Sequence, residues 1–266
     1  MKGTPPSMRK ESDQFTDSTV LEGMTSIRAL IHAKDAGLND RPILVIYYDP
    51  SDKAREHDVA YLRAKSAEYG YRMEPMERSD IDSIAIGNTH GGLVAKCGTR
   101  TLPALSNFSD CLPTNGFYAM IDGIEDPYNF GYAIRSLYAC GADGLILGER
   151  NWLSAAGVVC RSSAGASESI PVFLSSPEDA VRFFHTNGYL TVAADLRTEN
   201  ELGKTPLRKP LLLVCGGEKR GISRRVLDLI DLRVKIPYGR EFRASLSAAS
   251  AATIFSYEIM RQNLNH

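Results

Sequence analysis

Between residues 117 and 237 the chain carries five short apolar runs, FYAMID, GLILG, YLTVAADL, LLLVCGGE and DLRVKIP, separated by helical or loop sequence. Runs of this kind, apolar without alternation, mark strands buried on both faces, and helix-length spacers between them rule out simple hairpins. The pattern predicts an α/β domain whose parallel sheet is covered by helices on both faces. At 266 residues, 43% hydrophobic and 24% charged, the chain has material for one large domain or two modest ones.

The N-terminal third reads as a separate, smaller α/β unit. Residues 1–18 are polar and are expected to form a disordered tail. A helix is predicted over 19–34, where apolar residues recur at helical spacing, and ILVIYYD (43–49) as a strand. A helix at 52–69, a strand at 71–76, a helix at 79–86 and a strand beginning at GLVAKCG complete the unit, taken as 19–98. Residues 99–116, with two prolines and no sustained periodicity, read as a linker, and 117–266 as the second domain.

Composition narrows the chemistry. No apolar run is long enough to span a bilayer and the polar N-terminus lacks a secretory core, so a cytoplasmic location is expected. Cys97, Cys111, Cys140, Cys160 and Cys215 are odd in number and widely spaced, and read as reduced packing residues. The five histidines show no metal-ligand spacing, so no metal is expected. The net charge of −1 conceals a basic cluster, Lys219, Arg220, Arg224, Arg225, Arg240 and Arg243, suited to a polyanion.

Two glycine-bearing turns fail the common nucleotide patterns. DGIEDPYNFG, after the first strand of the sheet, lacks Gly-x-Gly-x-x-Gly, and GGEKRGIS lacks the Gly-Lys-Ser/Thr of a phosphate loop. The helix over 125–141 is expected to bury Phe130, Ile134, Leu137, Tyr138 and Gly141, yet it carries Arg135 beside that stripe.

Three spaced segments account for these features together. Asp122, Asp126, Asn129, Gly131, Arg135 and Gly141, then Gly216-Gly217-Glu218 with Gly221, then Ile236-Pro237 with Gly239 and Ser245-Leu246, resemble in order the three motifs of the SpoU/TrmH (SPOUT class) family of RNA ribose 2′-O-methyltransferases. The resemblance covers roughly 117–262. It implies a parallel-sheet domain whose C-terminal chain is threaded into a deep trefoil knot, an exception to the rule that connections stay unthreaded. The small residues from Ser245 to Ala252 suit closely crossing backbones. The N-terminal unit is similar to the ribosomal-protein-like (L30e-like) RNA-binding extension of some members, with NTHGGLVAKCG matching a His-rich loop.

The resemblance further implies S-adenosylmethionine as cofactor, held by Gly216, Gly217, Glu218, Ile236, Leu246 and Ser247. It assigns catalysis to Asn129, Arg135, Glu218 and Ser245, and RNA contacts to Arg135 and His90; Arg240 and Arg243, which make this loop more basic than the family turn needs, are expected to grip the RNA backbone. Arg135 is either the proton acceptor of family proposals or a phosphate clamp; a guanidinium, with a pKa above about 12, is a donor and suits the clamp. Where the family has Ser-Leu-Asn, this chain has Ser245-Leu246-Ser247.

The expected activity is methyl transfer to a ribose 2′-hydroxyl of structured RNA, ribosomal RNA ahead of transfer RNA. A weakly catalytic RNA-binding or assembly factor, or an unrelated nucleotide-binding α/β enzyme, are the alternatives. A homodimer is expected, and the stripe Leu246, Ala249, Ile254, Tyr257, Met260 suits either pairing or burial within one subunit.

Overall fold

A computed structural model describes residues 20–124, 126–148, 155–217 and 219–264, with the side chains of 109–111 set aside. The tail expected at 1–18 and Glu218 lie outside the described residues. In chain order the elements are β1 (Val20–Glu22), α1 (Gly23–Asp35), β2 (Ile43–Tyr48), α2 (Glu56–Tyr69), β3 (Arg72–Pro75), α3 (Arg78–Ile84), β4 (Leu93–Cys97), β5 (Phe117–Asp122), α4 (Pro127–Ala139), β6 (Gly144–Leu147), α5 (Ala156–Ser162), α6 (Ala166–Ser169), β7 (Val172–Leu174), α7 (Pro177–Thr186), β8 (Leu190–Ala194), β9 (Leu211–Gly216), α8 (Arg224–Leu227), β10 (Leu232–Val234) and α9 (Ala248–Asn263).

The chain divides into two compact units. One holds the residues up to Thr101 together with those ending at Ser169 that begin α5; the other holds Leu102 onward and resumes at Ile170. This corrects the expected division in two respects. The segment 99–116 is more than a linker, because Leu105, 1% exposed, enters the core of the second unit and Phe108 stacks on Phe173 with ring centroids 4.4 Å apart. And α5 and α6, which fall within the expected second domain, belong to the first unit.

The first unit has a four-stranded sheet in the order β1-β4-β2-β3, antiparallel except between β2 and β3. The expected helix at 19–34 begins later: Val20–Glu22 pairs with Val94–Lys96 as a strand, and Gly23, at φ +73°, makes the sharp entry to α1. Ile27, Leu30 and Ile31 of α1 pack with Ile46, Leu62, Leu93 and Cys160.

A buried ion pair ties α6 to the N-terminal residues. The Arg41 Nε donates to Glu168 Oε2 at 2.9 Å, Asn39 Nδ2 donates to the same oxygen at 2.8 Å, and Arg41 Nη1 donates to the Gly98 carbonyl at 2.9 Å. The two charged side chains are 4% and 1% exposed. These bonds matter because a buried charge without a partner is far costlier than the pair is favourable.

The second unit is the parallel sheet anticipated from the apolar runs, in the order β10-β8-β9-β5-β6-β7. Its central strands β5 and β9 are almost wholly buried. Helix starts are set by short polar caps: Asp126 accepts from the Asn129 N–H before α4, Ser176 from Asp179 before α7, and Ser247 from Ser250 before α9. In α4 the residues Phe130, Ile134 and Leu137 are buried as expected, but Tyr138 is 46% exposed. α4 packs along α9, and Thr253 Oγ1 donates to Ser136 Oγ at 2.6 Å. The far end of α9 is held by Gln262, which accepts from the Leu207 N–H at 2.7 Å, and by Asn263, which donates to the Leu207 carbonyl at 2.8 Å.

Breaking one side of the Arg41–Glu168 pair is the direct test of its role. Glu168→Ala should cost about 3–5 kcal/mol in denaturant unfolding, whereas the apolar double replacement Arg41→Met with Glu168→Leu should cost far less. Equal losses in the two variants would show that the charges themselves are not desolvated.

Candidate functional site

Because every strand of the second sheet points the same way, its carboxyl ends gather on one edge, the usual place for a ligand in such sheets. A cavity of about 390 Å³ opens there. Its floor comes from the ends of β8, β9 and β10, at Ala194, Gly216 and Val234, and its wall from Ser245, Leu246 and three residues of α9, Ala248, Ala251 and Phe255.

Glycine is required in this floor. β5 and β9 pair in parallel with Asp122 opposite Gly216, so the turns that follow them meet backbone to backbone. A Cβ on Gly217 would strike the Gly123 carbonyl, and one on Gly216 would strike the Gly221–Ile222 backbone. The second turn closes on itself through a Gly221 N–H to Gly217 carbonyl bond of 2.9 Å.

The main polar feature is Asp195, the first residue beyond β8. Its Oδ1 accepts from the Arg197 N–H at 3.1 Å and from Arg197 Nε at 3.2 Å. Its Oδ2, in a side chain 8% exposed, has no hydrogen-bond partner among the described residues. A buried carboxylate oxygen left unmatched costs roughly 1–3 kcal/mol or more, so the cavity is built for a ligand that brings a donor. Tyr238 also lines the cavity, and its hydroxyl accepts from the Leu246 N–H at 3.3 Å, fixing the loop that carries Ser245.

Of the residues expected from sequence, Gly216, Gly217, Ile236, Ser245 and Leu246 line this cavity together. Ser247 does not; its hydroxyl is committed to capping α9. Asn129 and Arg135 stand on α4, away from the cavity lining. Asn129 donates its N–H to Asp126 Oδ2 at 2.9 Å, and Arg135 is exposed, with no ion pair to any described residue. Arg240 and Arg243 are exposed on the loop between β10 and Ser245; the Arg243–Glu241 pair, at 3.5 Å with both side chains more than 80% exposed, constrains neither.

His90 is enclosed in the first unit. It is 2% exposed, its Nε2 lies 2.9 Å from Asp82 Oδ1 and its Nδ1 accepts from the Gly92 N–H, so it braces a loop. Asp122, half-buried at the end of β5, has its carboxyl pushed above the ordinary range by burial and, secondarily, by Glu178. Burial likewise pushes the Cys97 and Cys215 thiols up to about 12, which leaves them as packing residues.

Asp195, Arg197 and Tyr238 escaped the sequence reading. For Asp195 a signal existed, since an acidic residue directly after the apolar run YLTVAA sits where a parallel sheet presents its ligand groups. Gly217→Ala is expected to destabilise the protein by about 1–3 kcal/mol through backbone separation. In a thermal melt each kcal/mol should lower the midpoint by about 2–4 °C.

Residues 116–257 match the model of the SpoU rRNA Methylase family. A 23S rRNA (guanosine-2′-O-)-methyltransferase of Shewanella oneidensis is 26% identical over 235 residues, spanning 87% of this chain and 95% of that protein. A TrmH family tRNA/rRNA methyltransferase of Bacillus subtilis is 27% identical over 214 residues, 79% of this chain and 84% of that protein. Among solved structures, an AdoMet-bound rRNA methyltransferase from Sinorhizobium meliloti superposes with a TM-score of 0.76 at 24% identity, covering 99% of this chain and 97% of its own. The SpoU methyltransferase AviRb of Streptomyces viridochromogenes, in complex with AdoMet, gives 0.74 at 23% identity, covering 98% and 94%. These likenesses support the fold.

Proposed function

Because the chain belongs to the SpoU rRNA methylase family, we propose that it transfers a methyl group from S-adenosylmethionine to a ribose 2′-hydroxyl of RNA, with ribosomal RNA as the substrate. The observation that carries this reading is the cavity framed by Gly216 and Gly217, with Ser245 and Leu246 in its wall and the unmatched Asp195 oxygen among its lining residues.

The residues present fit the cofactor. The Gly216 and Gly217 turn lets main-chain groups approach a nucleoside closely, and Asp195 Oδ2 offers an acceptor to a ribose hydroxyl or an amine. When bound, S-adenosylmethionine supplies a methyl group made electrophilic by its sulfonium. The protein then has to align the sugar oxygen and hold the RNA. Ser245 stands at the cavity wall as a hydroxyl donor and acceptor, and Lys219, Arg220, Arg224, Arg225, Arg240 and Arg243 are all exposed to meet phosphates. Glu218, outside the described residues, keeps its expected role in organising the site.

Arg135 acts as a phosphate clamp, donating a forked pair of hydrogen bonds that fixes the target nucleotide. It shares a helical stripe with Tyr128, Tyr132 and Ala139, and together with Tyr138 on α4 and Ile254 and Tyr257 on α9 this stripe leaves an exposed aromatic face. We read that face as the contact between two copies of the chain, which would carry Arg135 from solvent into an interface. The C-terminal chain is read as threaded, supported by the close packing of Ala248, Ala249 and Ala252 and the grip of Gln262 and Asn263 on the 205–209 loop.

The four-stranded first unit is the RNA-binding extension, and a cytoplasmic location follows from the substrate. Ribosomal RNA is favoured because the Shewanella protein, matched over nearly its whole length, is named for it. Ser247, where the family has Asn, caps α9 and so anchors the end of the loop that carries Ser245.

Two measurements test the reading. Arg135→Ala should reduce labelled methyl transfer to RNA by about 10²–10³-fold or more, the scale of losing one charge-stabilising donor, while calorimetric S-adenosylmethionine affinity stays within about twofold. Asp195→Asn should weaken S-adenosylmethionine binding by about tenfold, the equivalent of about 1.4 kcal/mol. Unchanged affinity in the asparagine variant would remove Asp195 from the site.

A further inference from the structure

The first unit holds a cavity of its own, about 260 Å³, at the N-terminus of α1, lined by Glu22, Gly23, Thr25, Ser26, Arg55 and Arg161 among others. Glu22 is 5% exposed. Its Oε1 accepts from the Ile86 and Gly87 N–H groups, but its Oε2 has no hydrogen-bond partner among the described residues. The nearest cation, Arg161 Nη1, stands off at 3.7 Å, an ion pair without a hydrogen bond. Gly87 makes room for that guanidinium, since a Cβ there would overlap Arg161 Nη1, and Gly91 does the same for Arg55.

The cavity therefore asks for two things at once. A donor is needed for a buried carboxylate oxygen, and an acceptor or anion for the Arg161 guanidinium, beside an Arg55 whose Nη1 already donates to Asp58 Oδ2 at 2.9 Å, at a helix N-terminus that no side chain caps. A nucleotide supplies both. Among the RNA bases guanine matches best, because it sets N1–H and N2–H donors beside the O6 and N7 acceptors that arginine recognises, with a phosphate behind. RNA loops present such bases unstacked and individually readable.

We propose that this cavity receives an unstacked guanine of the RNA substrate, its donor edge on Glu22 Oε2, its O6 and N7 edge on Arg161, and its phosphate toward Arg55 and the first turn of α1. The assignment rests on the reading of the protein as an RNA-binding enzyme and names what its N-terminal unit recognises. The site is separate from the methylation cavity, which belongs to the other unit.

Calorimetry on the full chain tests it with GMP, AMP, UMP, inorganic phosphate and a single-stranded RNA hexamer containing one guanine or adenine in its place. GMP is expected to bind at least tenfold more tightly than AMP, UMP or phosphate, and the guanine hexamer more tightly than GMP. Glu22→Gln, which can still accept from Ile86 and Gly87 but turns an amide donor to the cavity, should erase the guanine preference. Arg161→Gln, at a side chain 32% exposed and so safer for folding, should weaken GMP at least fivefold. Both variants should bind S-adenosylmethionine as the parent does. Equal binding of GMP and AMP, an unaltered preference in both variants, or GMP binding more tightly than the hexamer would overturn the proposal. Loss of S-adenosylmethionine binding by the parent protein with guanine selectivity intact would instead count against the methyltransferase reading alone.

Discussion

The parallel pairing of β5 with β9 governs the catalytic unit. With Asp122 set opposite Gly216, the turns after both strands leave the sheet at the same level, and Gly123 and Gly217 come into backbone contact. That contact leaves no volume for a side chain on Gly217, and it sets the floor on which the cavity rests. A shift of register along either strand would separate the two turns and dissolve the floor, because the hydrogen-bond ladder and the glycine contact are satisfied together.

The features legible in the sequence are those encoded locally. Apolar runs revealed most strands of the second sheet, whereas the helix caps Asp126 and Ser247 emerge only from the structure. β7 was too short, at Val172–Leu174, to register as a run. The glycine turns were legible too, and five residues grouped with them from sequence line a single cavity. What the sequence hid depends on pairing across long separations. Glu168 meets Arg41 and Asn39 over more than 120 residues, and no local pattern marks that union. A histidine in a glycine-rich loop likewise gives no hint of the Asp82 carboxylate that holds His90 inside.

The placement of charge follows one logic in the two units. Where charge is buried, as at Arg41 and Glu168, it is paired and surrounded by further hydrogen bonds, which suits a role in fixing structure. Where basic residues crowd without burial, as at Arg220, Arg225, Arg240 and Arg243, their exposure leaves them open to a polyanion whose counterions they can displace. Asp195 stands between these cases, enclosed yet half satisfied, and such incompleteness is what separates a binding group from a structural one.

The wall of the cavity is contributed by Ser245, Leu246 and α9, whereas the last strand of the sheet ends at Val234. During synthesis the sheet can therefore assemble before the segment that finishes the ligand site has left the ribosome. A nascent chain of this kind is a scaffold first, and its cavity gains its last wall only when the final helix joins the sheet.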